Sequence, residues 1–365
     1  MSSPAFDPQR YQQLLDKKIT SILPAFRALG APEPTVTSSP TEGFRLRAEF
    51  RLWHEDEALH YVMFDRHTPK KPVNISTFPI ACQSIQTLMP IILDAIRSKD
   101  ALRNKIFQIE FLGTLAGDMV VTLIYHRKLD DTWLEAARYL ASQLSINIIG
   151  RSRKQKRVIG RDYVTEILHV SAGSFTYRQP EQAFTQPNGH VNQAMINWAL
   201  EAASHCKGDL LEMYCGIGNF TLPLSTCFDN VIATELSKVA TAAANINCTE
   251  NGLENIEFVR MSAEDMSSAM ANERPFWRLA HLKKPLQEYD LSTLFVDPPR
   301  AGLDDKTLDI ARRFNKVIYI SCNPQTLLAN LAELASTHTI DQLAFFDQFP
   351  YTEHLESGVL LSKKQ

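Results

Sequence analysis

Short apolar segments alternate with helix-period segments along the second half of the chain, and this alternation constrains the fold more than any other feature. The apolar segments are interpreted as buried strands: LLEMY, NVIATEL, IEFVRM, TLFVDPP, KVIYISC and DQLAFF. The accompanying segments have helical periodicity: HVNQAMINWALEAASHC, TLPLSTCF, KVATAAANINCTEN, SAEDMSSAMANE, LDDKTLDIARRF and NPQTLLANLAELAST. Such alternation builds βαβ units around a parallel sheet that binds ligands at the carboxyl ends of its strands. We therefore predict a doubly wound α/β domain.

The first half of the chain has the pattern of antiparallel strands. In FRLRAEFRLW apolar and polar side chains alternate, which is typical of a strand with one buried face. LHYVMFD and FQIEFLGTLAGDMVVTLIYH repeat the pattern, and the second reads as a hairpin. With helix-period stretches at Gln83 to Ser98 and Asp131 to Gln143, this half is predicted to be an α+β domain. A boundary between Ser171 and Asn188 divides the chain into residues 1–178 and 179–365.

Composition excludes several classes of protein. The longest apolar runs, such as Val120 to Tyr125, are far shorter than the roughly 20 residues of a membrane span. The N-terminus lacks the features of a secretory signal, so we expect no membrane segment and a cytoplasmic location. The six cysteines include no C-x-x-C pair, so we expect neither a metal site nor a disulfide framework. A net charge of −3 gives no overall nucleic-acid signature, so local charge has to be examined.

The first strand of the α/β domain ends in a glycine turn. In LLEMYCGIGNF, Gly216 and Gly218 allow a tight turn and a close approach of the backbone to a ligand. Glu235 ends the next strand about 20 residues later, where an acid can accept the hydroxyl groups of a ribose. A dinucleotide fingerprint has a third glycine where this chain has Thr221. The pattern instead resembles motif I of the class I S-adenosylmethionine-dependent methyltransferases.

A second motif, LFVDPPR, follows a later strand and extends from Asp297 to Arg300. Prolines cannot continue the sheet, so the segment leaves it as a rigid loop at the ligand-binding edge. Many base-modifying methyltransferases resemble this chain in having an acidic or amide residue before two prolines. In those that methylate exocyclic amines an aromatic residue follows, and Arg300 in its place argues against amine methylation.

Cys322 lies where the next strand, KVIYISC, meets the helix start NPQT. The thiol could be a packed small residue, a metal ligand or a nucleophile. A structural thiol would fit better inside the strand, and a helix N-terminus would lower the thiol pKa and favour the nucleophilic thiolate. Glu356, in FPYTEHLESGVLL, is a candidate acid for the same site, with His354 and Asp347 upstream. The other cysteines are expected to be packed small hydrophobic residues: Cys82, Cys206, Cys215, Cys227 and Cys248.

Together these motifs resemble a known family. LLEMYCGIGNF, FTQPN, ATE, FVDPPR, YISCNP and FDQFPYTEHLESGVLL are similar to segments of the RNA uracil-5-methyltransferases, and RAEFRLWH and KIFQIEF resemble the bacterial tRNA branch. Members of that branch make 5-methyluridine in the T-loop of tRNA, at position 54. Related ribosomal-RNA enzymes often have a four-cysteine iron–sulfur site, which this chain cannot build with only Cys82 before residue 200. Its absence favours the tRNA branch over a ribosomal-RNA uracil-C5 methyltransferase.

The resemblance implies a fold, a cofactor and a mechanism. The fold would be a class I, Rossmann-like methyltransferase domain behind an N-terminal α+β RNA-recognition domain. Cys322 would add to C6 of a uracil turned out of its stack, and Glu356 would remove the C5 proton after methyl transfer. Glu212 is a further, lower-ranked candidate to support the methionine end of the cofactor. The implied S-adenosylmethionine-binding residues are Gln186, Tyr214, Asn219, Glu235 and Asp297.

Candidate RNA contacts lie in the first half of the chain. They are Arg45, Arg47 and Arg51 along one strand face, the ring of Phe107, and the segment RSRKQKRVIGR from Arg151 to Arg161, in which six of eleven residues are basic. A solvated surface would have the same composition, and Phe107 could equally be a core residue. The implied partner is the T-arm of tRNA, with other RNAs that contain a T-loop-like hairpin also possible partners, and the protein is expected to be a monomer.

Two other functions remain open from the residues. An RNA cytosine-C5 methyltransferase would also use a cysteine, but its Pro-Cys pair after the fourth strand is not matched, because Pro299 follows Pro298. A non-catalytic RNA-binding or folding factor with an inactive cofactor fold would leave Cys322 without a chemical role. Replacement of Cys322 separates that hypothesis from an enzyme.

Overall fold

The structure is a computed structural model that describes residues 6–56, 58–64 and 71–365. The strands are β1 (Thr35–Thr37), β2 (Arg47–Glu55), β3 (Ala58–Phe64), β4 (Pro72–Asn74), β5 (Ile106–Gly113), β6 (Met119–Tyr125), β7 (Asn147–Ser152), β8 (Gln155–Ile159), β9 (Tyr163–Val170), β10 (Gly173–Pro180), β11 (Asp209–Met213), β12 (Val231–Thr234), β13 (Ile256–Val259), β14 (Leu291–Val296), β15 (Lys316–Ser321), β16 (His338–Phe346) and β17 (Glu356–Lys363). The α-helices are α1 (Tyr11–Ala28), α2 (Gln83–Arg97), α3 (Asp100–Arg103), α4 (Asp131–Leu144), α5 (Gly189–Ala203), α6 (Thr221–Leu224), α7 (Lys238–Glu250), α8 (Ala263–Met270), α9 (Asp305–Ala311) and α10 (Pro324–Leu334).

A large mixed sheet forms the second half of the molecule. Its strand order is β1-β16-β17-β15-β14-β11-β12-β13. Strands β11 to β15 are mutually parallel, whereas β17 lies antiparallel between β15 and β16. All six predicted strands and their accompanying helices are present, so the prediction of a doubly wound α/β fold is confirmed.

The central strands read as unbroken apolar runs because helices cover both faces of the sheet. In β14, Leu294 and Val296 belong to one hydrophobic cluster and Phe295, between them, to another. All three side chains are fully buried. The central strands therefore have no polar face, because both of their faces are buried. Ligands can reach such a sheet only at the ends of its strands.

The N-terminal helix and strand pack with this large sheet. Strand β1 pairs in parallel with β16, and Phe26 of α1 packs edge-to-face on Phe345 with 5.5 Å between ring centroids. The buried Lys18 ammonium donates to Asp347 Oδ1 at 2.6 Å and to the Phe349 carbonyl oxygen at 2.9 Å. Both acceptors lie in the segment that leads into β17. Both ends of the sequence therefore contribute to one sheet, and the proposed division after residue 178 stays a prediction.

A seven-stranded sheet forms most of the first half, in the order β4-β3-β2-β5-β6-β7-β8. Strand β2 pairs antiparallel with β3 and β5, as its alternating pattern predicts. The side chains of Phe50 and Leu52 are buried, whereas Glu49 and Arg51 on the other face are exposed. The antiparallel hairpin β9–β10 then leads into the large sheet. In the described ranges, none of the helices combines the length and apolar character that a bilayer crossing requires.

Candidate active site at the strand ends of the large sheet

Three of the predicted cofactor residues lie at one edge of the large sheet. Tyr214, Glu235 and Asp297 directly follow strands β11, β12 and β14. These strands are in register at their ends, since Met213 of β11 pairs with both Thr234 and Val296. Parallel strands that end in register bring the residues after them to the same edge. The sequence prediction of one common edge therefore agrees with the structure.

The turn after β11 leaves open space beside its backbone. Gly216 has φ +57°, and a Cβ atom built there would have no neighbour within 4 Å. Gly218 has φ +87°, and a Cβ atom there would lie 2.6 Å from Leu222 Cδ1. Tyr214 also has a left-handed φ of 65°, which is strained for a residue with a side chain. One glycine thus keeps space free for a ligand and the other allows the following helix to pack closely.

Glu235 is held across this turn by two backbone N–H groups. Its Oε2 accepts from Gly216 N at 3.1 Å, and its Oε1 accepts from Ser237 N at 2.6 Å. The carboxylate is therefore oriented before any ligand binds. A half-buried acid fixed next to an open glycine turn fits the ribose-binding role inferred from the sequence.

Asn219 and Gln186 are fixed by neighbouring amides. The side chains of Asn219 and Asn192 exchange two hydrogen bonds, of 2.9 and 2.8 Å. Gln186 Oε1 accepts from Gln348 Nε2 at 2.8 Å, which links the FTQPN segment to the loop that precedes β17. Both predicted residues are half-buried, so each keeps part of its amide accessible to a ligand.

Three carboxyl groups in this region have raised pKa values. Burial raises the pKa of Glu212 to about 8, with a further contribution from Asp297, and burial raises that of Asp297 to about 7. Burial and then Asp297 raise the pKa of Glu356 well above its ordinary value. Among the described residues, Glu212 Oε2 and Glu356 Oε2 have no hydrogen-bond partner. Unpaired buried carboxyl oxygens around an open turn suit a ligand that carries positive charge, as S-adenosylmethionine does at its sulfonium and ammonium groups.

Cys322 and Glu356 lie opposite each other at the end of one strand pair. Ser321 of β15 pairs with Ser357 of β17, and Cys322 and Glu356 are the next residues outward on the two antiparallel strands. Opposed residues of such a pair have Cα atoms about 5 Å apart. The thiol is half-buried, neither sealed in the interior nor fully exposed. The structure therefore brings together the two residues predicted to be catalytic, although 33 residues of sequence separate them.

The expectation that a helix N-terminus lowers the pKa of Cys322 is wrong for the ligand-free protein. Burial, followed by the carboxyl groups of Glu356 and Asp297, raises the thiol pKa to about 11, against smaller opposing effects of a backbone hydrogen bond and of Arg300. Helix α10 does begin directly after the thiol, with Asn323 as its N-cap. A helix end stabilises a nearby thiolate by only about 0.3–1 kcal/mol, which lowers a pKa by less than one unit. Desolvation and two nearby acids raise the thiol pKa by more than this.

The other cysteines follow the packing prediction in part. Cys82, Cys215 and Cys248 are buried, whereas Cys206 and Cys227 are half-buried at the edge of a hydrophobic cluster. Within the described residues, no group of three or more His, Cys, Asp or Glu side chains is arranged to hold a metal ion.

Of the three predicted RNA-contacting arginines, only Arg51 is exposed. Its guanidinium carbon lies 4.0 Å from the centroid of the Phe107 ring, and that ring contacts the His126 ring at 4.2 Å. Arg47 instead donates to the carbonyl oxygens of Glu181 and Ala183, at 2.7 and 3.0 Å. Arg45 Nε donates to the Arg47 carbonyl oxygen at 2.8 Å. The structure thus gives Arg45 and Arg47 internal roles that the strand pattern did not reveal.

In the basic segment from Arg151 to Arg161, half of the six basic side chains form ion pairs with acids. Three cations pair with acids: Arg151 with Glu181 at 2.6 Å, Lys156 with Asp162 at 2.7 Å and Arg161 with Asp118 at 3.0 Å. Arg153, Lys154 and Arg157 have no acidic partner within 4.0 Å in the part of the chain that the structure describes. Those three are the cations of this segment that remain available to phosphate groups.

No sequence pattern singled out Phe184, although it lies in the FTQPN segment two residues before Gln186. Its ring is 71% exposed, while its neighbours Ala183 and Thr185 are buried. The exposure of this ring is visible only in the structure, because a single phenylalanine in FTQPN gives no indication in the sequence of whether its ring is buried. The exposed ring offers a flat surface to a planar ligand.

Comparisons with known proteins agree on one family. The family model described as "tRNA (Uracil-5-)-methyltransferase" matches residues 10–364. A tRNA/tmRNA (uracil-C(5))-methyltransferase from Ectopseudomonas mendocina (strain ymp) is 52% identical over 367 residues, covering 100% of both chains. A protein of the same name from Azotobacter vinelandii is 53% identical over 367 residues, again with 100% coverage of both.

A solved structure has a similar fold. It is the Pyrococcus abyssi tRNA (uracil-54, C5)-methyltransferase in complex with S-adenosyl-L-homocysteine, with a TM-score of 0.74 and 20% sequence identity. The match covers 96% of this chain and 83% of that one. The likeness extends over both sheets of the molecule and supports the class I methyltransferase fold.

Proposed function

The chain belongs to the tRNA (uracil-5-)-methyltransferase family, and on that premise we propose which uridine it methylates and which residues do so. It is an S-adenosylmethionine-dependent tRNA/tmRNA uracil-C5 methyltransferase. The target is uridine 54 in the T-loop of tRNA, and the reaction passes through a covalent bond between Cys322 and C6 of the base. The observation that carries this proposal is the placement of Cys322 opposite Glu356, beside Asp297.

The chemistry requires a nucleophile because C5 of uracil is itself a weak one. The Cys322 thiol first gives its proton to solvent, and the thiolate adds to C6. A C–S bond forms, and the electron pair of the C5–C6 double bond moves into an enolate that makes C5 nucleophilic. When bound, S-adenosylmethionine supplies the electrophilic methyl group. Glu356 then takes the proton from C5, the C6–S bond breaks with return of its electrons to sulfur, and the double bond re-forms. Cys322 ends the cycle as a thiolate.

The residues around the open glycine turn would hold the cofactor. Glu235 would accept hydrogen bonds from the ribose hydroxyls, a role supported by its fixed orientation. Asp297 and Glu212 would face the positively charged groups, and the unpaired Oε2 of Glu212 supports this role. Gln186, Tyr214 and Asn219 complete the set assigned from the sequence. The open space at Gly216 and the unpaired oxygen of Glu212 support this assignment.

A base in a folded loop must leave its stack to reach Cys322. Unstacking costs a few kcal/mol, which contacts to aromatic rings and to the RNA backbone offset. The exposed ring of Phe184 is placed to contact a planar base, and Arg51 with Phe107 offers a second aromatic surface. Residues 1–178 would thus recognise the T-arm, or a similar hairpin in another RNA, and residues 179–365 would carry out methyl transfer in a monomer.

Site mapping tests the proposed target. A tRNA transcript and a matched transcript with U54→C are incubated with enzyme and labelled S-adenosylmethionine, followed by nucleoside analysis. We expect 5-methyluridine at position 54 in the first transcript and no label above background in the second. Label at a cytosine or purine, or at a uridine elsewhere in both transcripts, would contradict the assignment. Methylation of ribosomal RNA alone would contradict the choice of tRNA.

Cofactor binding should strengthen as the pH rises from 6 to 8.5. Because burial raises the pKa of Asp297 to about 7 and of Glu212 to about 8, both groups are largely protonated and neutral at pH 6. A cationic ligand favours the ionised forms, so binding releases protons and the affinity rises by up to about tenfold per pH unit for each proton released. Calorimetry at several pH values and in buffers of different ionisation enthalpy measures both effects.

S-adenosyl-L-homocysteine is the matched control ligand, because it lacks the sulfonium charge and keeps the ammonium group. Its affinity should depend less steeply on pH. Replacement of Asp297 by asparagine should also flatten the dependence for S-adenosylmethionine. An affinity that falls with pH over this range would contradict the role given to these carboxylates.

A further inference from the structure

A basic, aromatic pocket lies on the large sheet on the far side of Glu235, whose carbonyl oxygen accepts from Thr241 Oγ1 of the pocket wall at 3.4 Å. It has a volume of about 510 Å³ and lies between the edge strand β13, helix α7 and the loop that follows α8. The indole of Trp277 is 81% exposed, although a ring of this size is usually well buried. None of the proposed cofactor residues contributes to the pocket. Its lining residues are Thr241, Phe258, Arg260, Trp277, Arg278, Ala280 and His281.

Two guanidinium groups give this pocket its charge. The Arg278 guanidinium carbon lies 5.3 Å from the centroid of the Trp277 ring, and Arg260 is exposed at the pocket wall. In the described ranges neither arginine has an acidic partner within 4.0 Å. On helix α8, which precedes the loop of the pocket, Asp265 pairs with Arg274 at 3.1 Å and Glu264 with Lys306 at 3.0 Å. The pocket therefore presents uncompensated positive charge next to a flat ring.

The pocket opens near the catalytic edge of the sheet, to one side of the catalytic pair. Arg260 directly follows β13, so it lies at the same carboxyl edge as Asp297. Strand β13 forms one edge of the large sheet, and β1 forms the other edge. After β1 the chain continues into the N-terminal sheet. Four strand spacings separate β13 from β15, which is about 19 Å at about 4.8 Å per spacing. An RNA held by the N-terminal sheet with its target base at Cys322 can extend over this distance.

We propose that this pocket binds an unpaired nucleotide of the RNA substrate that lies outside the stem-loop carrying the methylated uridine. The base stacks on Trp277, and Arg260 and Arg278 contact its phosphate groups. Aromatic rings next to guanidinium groups are the usual means of holding single-stranded nucleotides, whatever their sequence. This inference rests on the proposed function, because the occupant is part of the same RNA that enters the catalytic site.

Charge and shape favour RNA over a protein partner. Two arginines without an acidic partner flank a single exposed indole, and this combination of positive charge and one flat ring matches a phosphate and a base of a single-stranded nucleotide. The pocket is also open to solvent on the side of Trp277, as a nucleotide within a longer chain requires.

Steady-state kinetics of Trp277→Ala on two substrates tests the proposal. The substrates are a complete tRNA transcript and its isolated T-arm hairpin. For the complete tRNA we expect KM to rise about 5- to 100-fold, the range set by loss of one stacked base, with kcat unchanged. For the hairpin we expect both constants to equal those of the unsubstituted enzyme. Tyr139→Ala is the matched control for loss of an exposed ring, because Tyr139 is 56% exposed and is not among the residues proposed to contact RNA. We expect it to leave KM and kcat unchanged for both substrates.

Salt dependence tests the arginines. Arg260→Ala and Arg278→Ala should each weaken binding of the complete tRNA and reduce the slope of log K against log salt by about one. An unchanged KM for the complete tRNA with Trp277→Ala overturns the proposal and leaves the pocket for a protein partner. An equal rise in KM for tRNA and hairpin also overturns it, since the contact would then lie within the stem-loop. Failure of the proposed function would appear differently, as no methylation of the hairpin by the unsubstituted enzyme.

Discussion

Replacement of Cys322 by alanine is expected to abolish methyl transfer and to leave tRNA binding within about twofold of that of the unsubstituted enzyme. Without the thiol, C6 receives no nucleophile and C5 does not become reactive, so the rate should fall by a factor of about 10⁴ or more. The side chain is half-buried and belongs to neither hydrophobic cluster of the large sheet, so we expect its loss to leave the domain folded. Single-turnover transfer of labelled methyl groups and filter binding of tRNA measure the two quantities separately.

Cys227→Ala is the matched control for the loss of a thiol. Cys227 is also half-buried, but it lies after helix α6, away from the strand ends that form the site. Its replacement should leave the transfer rate unchanged. If Cys322→Ala transferred methyl groups at the normal rate, Cys322 would have no part in the chemistry. Loss of both transfer and tRNA binding would instead indicate a folding defect.

Replacement of Glu356 by glutamine is expected to trap the enzyme on its RNA. The thiol still adds to C6 and the methyl group is still transferred, but the amide cannot take the C5 proton and the C6–S bond therefore persists. Turnover should fall by about 10² to 10⁴, the usual contribution of a positioned general base. A denaturing gel with labelled tRNA detects the adduct as a band that needs both S-adenosylmethionine and Cys322.

Loss of folding stability is not expected to contribute to the effect of Glu356→Gln on turnover. The pKa of Glu356 is raised in the folded protein, so its ionisation opposes folding as the pH rises from its unfolded value towards the folded one. A neutral amide of the same shape removes that opposition, and the variant should be at least as stable at neutral pH. Glu353→Gln is the matched control, because Glu353 is an exposed acid three residues earlier and should turn over normally. If no protein–RNA adduct formed with Glu356→Gln, the role of Glu356 as base would be contradicted.

If Cys322 is the nucleophile, its thiol has to lose a proton before it can react. Burial and the neighbouring acids keep the Cys322 thiol protonated at neutral pH in the ligand-free protein, since its pKa is raised to about 11. A positive charge bound against Asp297 would oppose the effect of the acids on the thiol. The pKa of a catalytic group in the free protein thus need not equal its pKa in the complex.

Much of the catalytic half could be predicted from sequence because its signals are local. Apolar runs bounded by turns identified the strands, and the glycines before Asn219 marked the turn at the first strand end. Because parallel strands end at a common edge, the positions of Glu235 and Asp297 after their strands were enough to predict that both lie at that edge. The same logic failed for the pKa of Cys322, since it counted only the helix that begins beside the thiol and omitted the acids brought there by other strands.

The sequence by itself determined the alternating strands and helices of the second half, the family and the chemical types present at the site, but not α1, β1 or the hairpin β9–β10. Only the tertiary structure decided that β17 returns to place Glu356 opposite Cys322, that Lys18 ties the first helix to Asp347, and that Arg47 bonds within the chain. Periodicity and turn chemistry depend on residues a few positions apart. Burial, ion pairing and pKa values depend on segments that are distant along the chain and meet only when the sheet closes in one register.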